Sequence, residues 1–358
     1  MRDRCGRALA VADLTPLHLR RLPRWLAFVA LAIVTNVASA QDEVAMFCGV
    51  SVPWCEALAR GFRADTGIVV NITFKDSADA LAHVAAEKDD PKHDVWYSGN
   101  GDSQLRAAET GLVDEYRSAL LPLLHDWALR QGELARGRAI GVHAAVVGIG
   151  YNSKALANKR LPEPRCWADL ARPEYRNELH FVNPSASQVG YTTLATLVQV
   201  FGEERAFELM KAIHRNAGNY AITANGAIRA VARAEATIGV AMLHDGATEI
   251  ANGFPVQLVV PCEGTGYEVG SIALVANAPH PANARRFYDW VLTPAAQRIP
   301  AGTRNFHYLA NRDAGSPPGV PDADNLRLIR YDFVKYATGA ERKRLLEKWE
   351  RDVHAQPR

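Results

Sequence analysis

Apolar runs of strand character alternate with segments of helical periodicity along most of the chain. Strands are predicted at 44–47, 69–74, 93–97, 145–151, 178–182 and 236–243. Helices are predicted at 54–66, 78–88, 103–110, 191–201, 204–216 and 227–234. A charged amphipathic helix at 341–353 follows a Pro/Gly-rich loop, and we expect it on the outside of a lobe. This alternation predicts layered α/β lobes with parallel-rich sheets.

The predicted strand at 236–243 ends abruptly at His244, Asp245 and Gly246. A second polar segment, 263–268 (EGTGYE), follows one short strand later. Because open α/β sheets bind ligands at the carboxyl ends of their strands, we interpret the two segments as one wall of a binding crevice. The alternative is a strand that simply turns at Gly246.

Four predicted helices begin with short polar side chains, at 76–77, 98–102, 185–187 and 223–226. Each helix start offers free backbone N–H groups and the positive end of a helix dipole, so several of them converging would form an anion site without Arg or Lys. The alternative is ordinary N-capping. Gly99 and Gly101 flank Asn100, and two glycines would let the backbone approach a ligand closely. The candidate contacts are Ser77, Ser98, Gly99, Asn100, Gly101, Ser187 and Asn225.

The N-terminus has the pattern of an export signal. Arg20, Arg21 and Arg24 precede an apolar stretch at 25–37, and Ala38-Ser39-Ala40 follows. This predicts a signal peptide, 1–40, cleaved after Ala40. The apolar stretch is too short to span a bilayer, which needs about 20 residues. We expect a periplasmic protein, exported by general secretion rather than by the twin-arginine route.

Charge and length limit the class of partner. Removing the first 40 residues takes away six Arg and two Asp, which leaves 35 basic and 37 acidic side chains. A nearly neutral chain without a basic run gives no support for nucleic-acid binding. The remaining length exceeds what one core usually holds, so two lobes are expected.

Four cysteines follow the predicted cleavage site. An even number in an oxidising compartment indicates disulfides. Cys48 and Cys55 are the first candidate pair, since they would close a small loop between the first strand and helix. Cys166 and Cys262 are a possible second pair. Without a CxxC motif, a zinc-thiolate site is not expected.

No catalytic motif is found in the sequence. It has no G-x-S-x-G, H-E-x-x-H or P-loop, and no G-x-G-x-x-G that opens a helix after a strand. The segment 148–152 (GIGYN) is interpreted as a strand whose glycines allow close packing. A secreted two-lobed α/β protein with ligand groups and no catalytic machinery suggests a binding protein; a secreted hydrolase is the less favoured alternative.

Several segments together resemble the extracellular solute-binding proteins of ABC importers, in the subgroup often called ferric-iron-binding. The matching segments are 94–102 (DVWYSGNGD), 148–152 (GIGYN), 167–170 (WADL), 173–176 (PEYR), 182–185 (VNPS), 287–290 (FYDW) and 293–297 (TPAAQ). The resemblance implies a type 2 periplasmic binding protein, with two lobes that a two-strand hinge closes on a ligand. We assign lobe 1 to 41–143 and 269–358, and lobe 2 to 144–268.

The resemblance also bears on the ligand. Iron binders of this group carry two tyrosines where this chain has His244 and Asp245, and a histidine in the loop that is 49–53 here. Hard ferric iron prefers phenolate and carboxylate oxygens, so their loss argues against iron. The His-Asp-Gly segment and 263–268 are instead similar to the subgroup that binds hexose phosphates. This similarity implies that His244, Asp245 and Glu268 hold sugar hydroxyls, and that the helix starts around Ser77, Asn100 and Ser187 hold phosphate.

Three positions depart from the hexose-phosphate pattern. Gln188 follows Ser187 where a glycine is usual, Asn100 stands where a threonine is common, and His143 replaces a tyrosine. These changes leave open a phosphonate, a phosphoglycerate or a sugar phosphate of another size. We therefore expect a monomeric binding protein, not an enzyme, that needs no cofactor or metal and delivers a phosphorylated ligand to a membrane-embedded ABC permease.

Overall fold

The computed structural model of the protein describes residues 43–337 and 339–358. The predicted signal peptide, 1–40, lies outside these residues. Among the helices that the structure describes, none is long and apolar enough to cross a membrane.

Strands and helices alternate as the sequence pattern predicts. The strands are β1 Glu43–Cys48, β2 Val69–Phe74, β3 Val95–Ser98, β4 Val113–Asp114, β5 Ile140–Asn152, β6 Leu179–Val182, β7 Ala217–Ala221, β8 Ile238–Met242, β9 Val256–Val259, β10 Tyr267–Val275 and β11 Tyr308–Leu309. The first helices are α1 Val52–Thr66, α2 Ser77–Ala86, α3 Asp102–Glu109, α4 Asp126–Leu134, α5 Ser153–Asn158, α6 Gln188–Phe201 and α7 Glu203–Asn216. They are followed by α8 Gly226–Ala232, α9 Leu243–Ala251, α10 Pro281–Val291, α11 Pro294–Gly302, α12 Phe333–Tyr336 and α13 Gly339–Trp349.

The sheet has parallel strands at its two ends and antiparallel strands between them. Its order is β2-β1-β3-β10-β5-β8-β6-β7, with β9 and β11 also on β5 and β4 on β10. β1 is parallel to β2 and β3, and β6 is parallel to β7 and β8. The two parallel groups are the parallel-rich sheets that the strand-helix alternation predicts.

β5 and β10 connect the two halves of this sheet. From Ile140 to Val146, β5 pairs with β10, and from Val147 onward it pairs with β8 and β9. One continuous strand therefore belongs to both halves. Gly148 and Gly150 lie in the second part, where an added Cβ would come within 2.3 Å of Leu243 and Ile228 side-chain atoms. The interpretation of these glycines as close-packing positions is confirmed.

Local sequence signals account for several helix ends. Ser51 and Pro53 start α1, and α1 ends at Gly67, whose φ of 77° favours a residue without a Cβ. The Asp76 side chain accepts hydrogen bonds from the first-turn N–H groups of Ala78 and Asp79 and so caps α2. The predicted Cys48–Cys55 disulfide between β1 and α1 is confirmed, and Cys166 and Cys262 form a second disulfide.

The C-terminal residues pack against α6 and α7. Leu345 and Trp349 of α13 are buried, and the Arg344 and Lys348 side chains bond Glu203 at the start of α7. A π-helical turn, Glu350–His354, continues α13. These contacts join the C-terminus to residues within 144–268, whereas the predicted division groups 269–358 with 41–143. That division into lobes stays a prediction.

Candidate functional site

A cavity of about 240 Å³ lies where β10, the start of α3, the start of α6 and the C-terminal segment meet. Polar, charged and aromatic side chains make up most of its wall. The lining residues are Asn100, Asp102, Arg106, Gln188, Tyr191, Thr192, Tyr267, Glu268, Val269, Tyr331, Phe333, Tyr336, Ala337, Gly339 and Arg342. We call it the ligand cavity. Of the residues predicted from sequence, Asn100, Gln188 and Glu268 line it.

Two carboxyl groups face the ligand cavity. Glu268 on β10 accepts a 2.8 Å hydrogen bond from the Thr192 hydroxyl. Burial raises the pKa of Glu268 to about 7, and the charge of Asp102 acts in the same direction. Burial also raises the pKa of Asp102, against the attraction of Arg106 and Arg342. Both carboxyls therefore hold protons more tightly than exposed acids do, and Glu268 can donate or accept a hydrogen bond near neutral pH.

Two guanidinium groups, of Arg106 and Arg342, line the same cavity. Arg342 lies over the Tyr191 ring, with 4.4 Å from its guanidinium carbon to the ring centroid. One of its N–H groups donates to the Gln188 side-chain oxygen at 2.5 Å. Stacking and hydrogen bonding hold this guanidinium at the start of α6.

The start of α6 leaves donors available. Ser187 is its N-cap, and the side chain makes no capping hydrogen bond. No acceptor among the described residues bonds the backbone N–H groups of Gln188, Val189 or Gly190. Unsatisfied first-turn N–H groups at the positive end of a helix dipole are suited to an anion. Arg342 adds a positive charge there.

At the helix start at 98–102, by contrast, the donors form hydrogen bonds within the protein. The Ser77 and Ser98 hydroxyls bond each other at 2.6 Å, and the Asn100 N–H donates to Ser77 at 3.3 Å. The N–H of Gly101 donates to the Val269 carbonyl, and the N–H of Asp102 donates to the Asn100 side chain. These donors are already satisfied within the protein, so a phosphate there would have to displace a hydrogen bond.

The glycines of this segment make room for protein atoms. A Cβ on Gly99 would lie 2.5 Å from the Gly49 carbonyl oxygen. A Cβ on Gly101 would lie 2.4 Å from the Gln131 amide nitrogen and 2.5 Å from the Ser271 hydroxyl. Close packing explains both positions. The roles of Ser77, Ser98, Gly99 and Gly101 as ligand contacts stay predictions.

The segment after β8 differs from its predicted conformation. The strand ends at Met242, one residue before the predicted end, so the prediction that His244 and Asp245 follow the carboxyl end of a buried strand is confirmed. Leu243 begins α9, and the alternative of a turn at Gly246 is wrong. Gly246 lies inside the helix, where a Cβ would come within 2.3 Å of the Leu258 side chain. The glycine is therefore needed for packing between α9 and β9. Sequence reasoning interpreted the same glycine as a turn signal.

His244 belongs to a cluster of rings beside β5 and β10, the strands that connect the two halves of the sheet. Its imidazole stacks on His307 with 3.6 Å between ring centroids, and His307 lies 5.0 Å from His143 and 5.2 Å from Trp54. Both ring nitrogens of His143 and the Nδ1 atoms of the other two histidines are buried without a hydrogen-bond partner. Burial lowers the pKa of His143 to about 3 and that of His307 well below its usual value. The cluster is therefore uncharged at neutral pH.

The remaining predicted contacts lie outside the ligand cavity. Asp245 is 3.6 Å from the His244 imidazole, Ser187 precedes the cavity-lining Gln188, and Asn225 is the N-cap of α8 without a side-chain capping bond. Their roles, like those of His143 and His244, stay predictions. Sequence reasoning missed the lining residues from the C-terminal segment, Tyr331, Phe333, Tyr336 and Arg342, because no local signal places a distant segment over a cleft. Asp102 and Tyr267 lay within quoted motifs and could have been found there.

One group of potential metal ligands occurs among the residues that the structure describes: Cys166, Cys262 and Glu263. The two sulfurs are joined in a disulfide and are not thiolates. Glu263 instead accepts hydrogen bonds from the N–H groups of Trp167 and Ala168. This group has a structural role.

Comparison with known proteins identifies the family of the chain. Residues 90–336 match the model of the bacterial extracellular solute-binding protein family. An uncharacterised protein of Haemophilus influenzae is 36% identical over 89% of this chain and 93% of its own length. The periplasmic binding protein AfuA from Actinobacillus pleuropneumoniae, solved with fructose-6-phosphate bound, is 32% identical, with a TM-score of 0.68 over 88% of this chain and 99% of that one.

A more distant structure shows how widely the fold is shared. Iron-bound HitA from Pseudomonas aeruginosa has a TM-score of 0.68 over 86% of this chain and 98% of that one, at 20% identity. At that identity the likeness supports the fold and not the ligand. The chain belongs to the bacterial extracellular solute-binding protein family that serves ABC importers, and it has the two-lobed type 2 periplasmic fold of the ferric-binding-like group.

Proposed function

We propose that this protein binds a phosphorylated sugar of the hexose phosphate type in the ligand cavity and delivers it to an ABC permease. The observation that carries the proposal is the pairing of cationic and carboxyl groups in one cavity, with Arg106 and Arg342 on the same wall as Asp102 and Glu268. A sugar phosphate has an anionic group and a set of hydroxyls. A cavity with both kinds of partner is complementary to it.

The phosphate end is assigned to Arg342 and the start of α6. A guanidinium provides several N–H donors in a fixed plane, and charge-assisted hydrogen bonds to phosphate are among the strongest available. The free N–H groups of Gln188 and Val189 add neutral donors. The anion thus has both a positive charge and oriented dipoles.

The sugar end is assigned to Glu268, with Asp102 and Thr192 beside it. Carboxyl groups accept hydrogen bonds from sugar hydroxyls, and a protonated carboxyl can also donate. The rings of Tyr267 and Tyr331 form apolar walls for the carbon skeleton. AfuA, which is 32% identical to this chain, was solved with a ligand of this class.

Ferric iron is the alternative ligand, because tyrosines and carboxyls occur together in the cavity. Tyrosine binds iron as phenolate. Burial raises the pKa of Tyr191 to about 12 and that of Tyr331 well above its usual value, which opposes phenolate formation. The charge of Arg342 also opposes a trivalent cation.

Isothermal titration calorimetry with a ligand panel tests the proposal. Glucose 6-phosphate and fructose 6-phosphate are compared with the free sugars, inorganic phosphate, 3-phosphoglycerate, a phosphonate, ferric citrate and spermidine. We expect binding of a hexose phosphate at least about 100-fold tighter than that of its free sugar, because the phosphate contacts are charge-assisted. At 100 times Kd the ligand should raise the free energy of unfolding by about 2.7 kcal/mol.

Other members of the panel give clear contrary results. Tight binding of ferric citrate without binding of any phosphate ester would overturn the proposal in favour of an iron carrier. Tight binding of spermidine would show that Asp102 and Glu268 dominate the cavity as carboxylates. Steady release of inorganic phosphate from the bound ester would contradict a purely binding role and support a hydrolase.

A further inference from the structure

A second cavity, of about 460 Å³, lies between the start of α4, β11 and the segment 323–330. It shares only Tyr267 with the ligand cavity. Tyr267 lies on the hinge strand β10, so one ring borders both spaces. We call this space the arginine cavity.

Three arginines, Arg130, Arg312 and Arg330, line the arginine cavity. Arg312 is engaged: its guanidinium is 3.0 Å from the Asp126 carboxylate and 3.4 Å from the Pro122 carbonyl. Among the described residues of the lining, Asp126 is the only one with a carboxylate. Within 43–337 and 339–358, the guanidinium groups of Arg130 and Arg330 make no hydrogen bond and no ion pair. Two guanidinium groups at one cavity therefore have no acceptor among the described residues.

Tyr267 supplies a further donor next to Arg130. Both residues line the arginine cavity. Burial raises the pKa of the Tyr267 hydroxyl, and the charge of Arg130 acts in the opposite direction. Among the described residues, this hydroxyl has no hydrogen-bond partner. The neighbouring Tyr308 hydroxyl differs, because it donates to the Pro321 carbonyl at 2.9 Å. Tyr267 and Arg130 thus present unused donors to the same space.

Apart from the His125 imidazole, the rest of the wall is mainly apolar. Trp127 and Tyr308 provide aromatic surface, and Leu326, Leu328 and Ile329 provide aliphatic surface. A bare inorganic ion would leave most of this surface facing water. A molecule with an anionic group and a flat apolar body would satisfy the arginines and cover the apolar wall.

We propose that the arginine cavity is a second binding site, for a small organic anion with a phosphate or carboxylate group and a planar apolar body. The anionic group bonds Arg130, Arg330 and the Tyr267 hydroxyl, and the body packs against Trp127 and Tyr308. The site does not depend on the ligand proposed for the ligand cavity.

Calorimetric titration with phenyl phosphate tests this site. The wild type is compared with Arg130→Gln/Arg330→Gln and with Arg63→Gln/Arg176→Gln, a matched control that removes two exposed arginines elsewhere. We expect the first variant to bind phenyl phosphate at least about tenfold more weakly, and the control to bind like wild type. Inorganic phosphate should bind more weakly than phenyl phosphate, since it cannot cover the aromatic wall. Circular dichroism and the thermal midpoint establish that both variants fold.

A third variant, Glu268→Gln/Arg342→Gln, separates the two cavities. Phenyl phosphate binding should persist in it, while hexose phosphate binding should be lost in it and retained in Arg130→Gln/Arg330→Gln. If phenyl phosphate binding follows Arg342 and ignores Arg130 and Arg330, the probe occupies the ligand cavity and the second site is refuted. Absence of phenyl phosphate binding to the wild type at millimolar concentration refutes it equally. If hexose phosphates fail to bind, the proposed function is contradicted, but the test of phenyl phosphate binding at the arginine cavity is unaffected.

Discussion

At the scale of single residues, Glu268 couples folding stability to pH. Burial raises its pKa from the usual 4.5 to about 7, so the folded protein binds a proton that the unfolded chain releases between these values. The free energy of unfolding therefore falls as pH rises from about 4.5 to about 7. The contribution is at most about 3 kcal/mol, since Glu268 lines a cavity that water can enter.

Glu268→Gln removes this titration and keeps the size of the side chain. We expect its stability relative to wild type to increase as pH rises from about 4.5 to about 7, because glutamine needs no charge in the buried position. Urea unfolding at pH 4.5, 6 and 8 measures the difference. The exposed Glu109→Gln on α3 is the matched control. A stability difference that is the same at all three pH values would contradict the raised pKa.

His143 has the opposite effect on the pH dependence of folding stability. Burial lowers its pKa to about 3, so the unfolded chain binds a proton below pH 6.5 that the folded protein does not. Stability is lost as pH falls through this window. We expect His143→Phe to unfold at lower pH than wild type, because phenylalanine does not titrate. Acid unfolding followed by fluorescence measures this shift, with the exposed His83→Phe as control.

The same variant tests the predicted contact with ligand. His143 packs against Trp54 and His307 and does not line the ligand cavity. Ligand affinity close to that of wild type would show that its role is packing. A loss of tenfold or more, with the fold intact, would support the contact that the sequence predicted.

At the scale of elements, the two disulfides should contribute unequally to stability. Cys48 and Cys55 are 7 residues apart, whereas Cys166 and Cys262 are 96 apart. In the loop-entropy description a cross-link restricts the unfolded chain more when it closes a longer loop. Loops of these lengths correspond to about 2.5 and about 4.7 kcal/mol. Denaturant unfolding of Cys48→Ser/Cys55→Ser and Cys166→Ser/Cys262→Ser tests the order, and a larger loss from the first pair would contradict it.

The C-terminal helix α13 should affect binding through the position of Arg342. Its docking depends in part on the ion pairs of Glu203 with Arg344 and Lys348, which lower the pKa of Glu203 to about 2. These groups are partly exposed, so their contribution to stability is modest. We expect Arg342→Gln to weaken hexose phosphate binding at least about tenfold, and Glu203→Gln to weaken it only a few-fold.

The neighbouring Lys343→Gln is the control for Arg342, since Lys343 is exposed on the same helix and does not line the ligand cavity. Calorimetry measures all three affinities. Equal effects of Arg342→Gln and Lys343→Gln would mean that only the net charge of the helix matters. They would then contradict a direct contact between Arg342 and phosphate.

Element positions could be predicted where local pattern and packing agree. The strand at 69–74 has the predicted bounds, and α1 and α7 differ from prediction by two residues or fewer at each end. The start of α9 could not be predicted, because Gly246 has the sequence signature of a turn and the packing requirement of a helix interior. The two-residue strands β4 and β11 are too short to carry a periodic signal.

The candidate site shows the same division between local and long-range information. Glu268, Asn100 and Gln188 follow from segments near strand and helix ends, which are readable in sequence. Arg342 and Tyr331 reach the cavity because the chain after β11 crosses the start of α6. Nothing within that segment specifies which surface it covers. The same contrast holds for the disulfides. The Cys48–Cys55 pair could be predicted because it closes a short loop, whereas the Cys166–Cys262 pair requires two distant segments to meet.

At the scale of the whole molecule, β5 and β10 are the connection between the two halves of the sheet. Their close packing limits how they can bend. A Cβ on Gly270 would lie 1.9 Å from the His143 ring, so the ring cluster sits directly on the paired strands. A ligand between the halves can stabilise a closed arrangement only by as much as it binds that arrangement better.

We expect ligand binding to bring the two predicted lobes closer together. The four cysteines of the described residues form disulfides, so cysteines introduced at Glu109 and Glu174, in the two predicted lobes, can carry spin labels. We expect double electron–electron resonance to show a shorter distance between them when a hexose phosphate is added, because the ligand cavity has walls from both lobes. Labels at Lys154 and Glu174, within one predicted lobe, should keep their distance. If calorimetry shows binding while the first distance stays fixed, the expected closure on this ligand is contradicted.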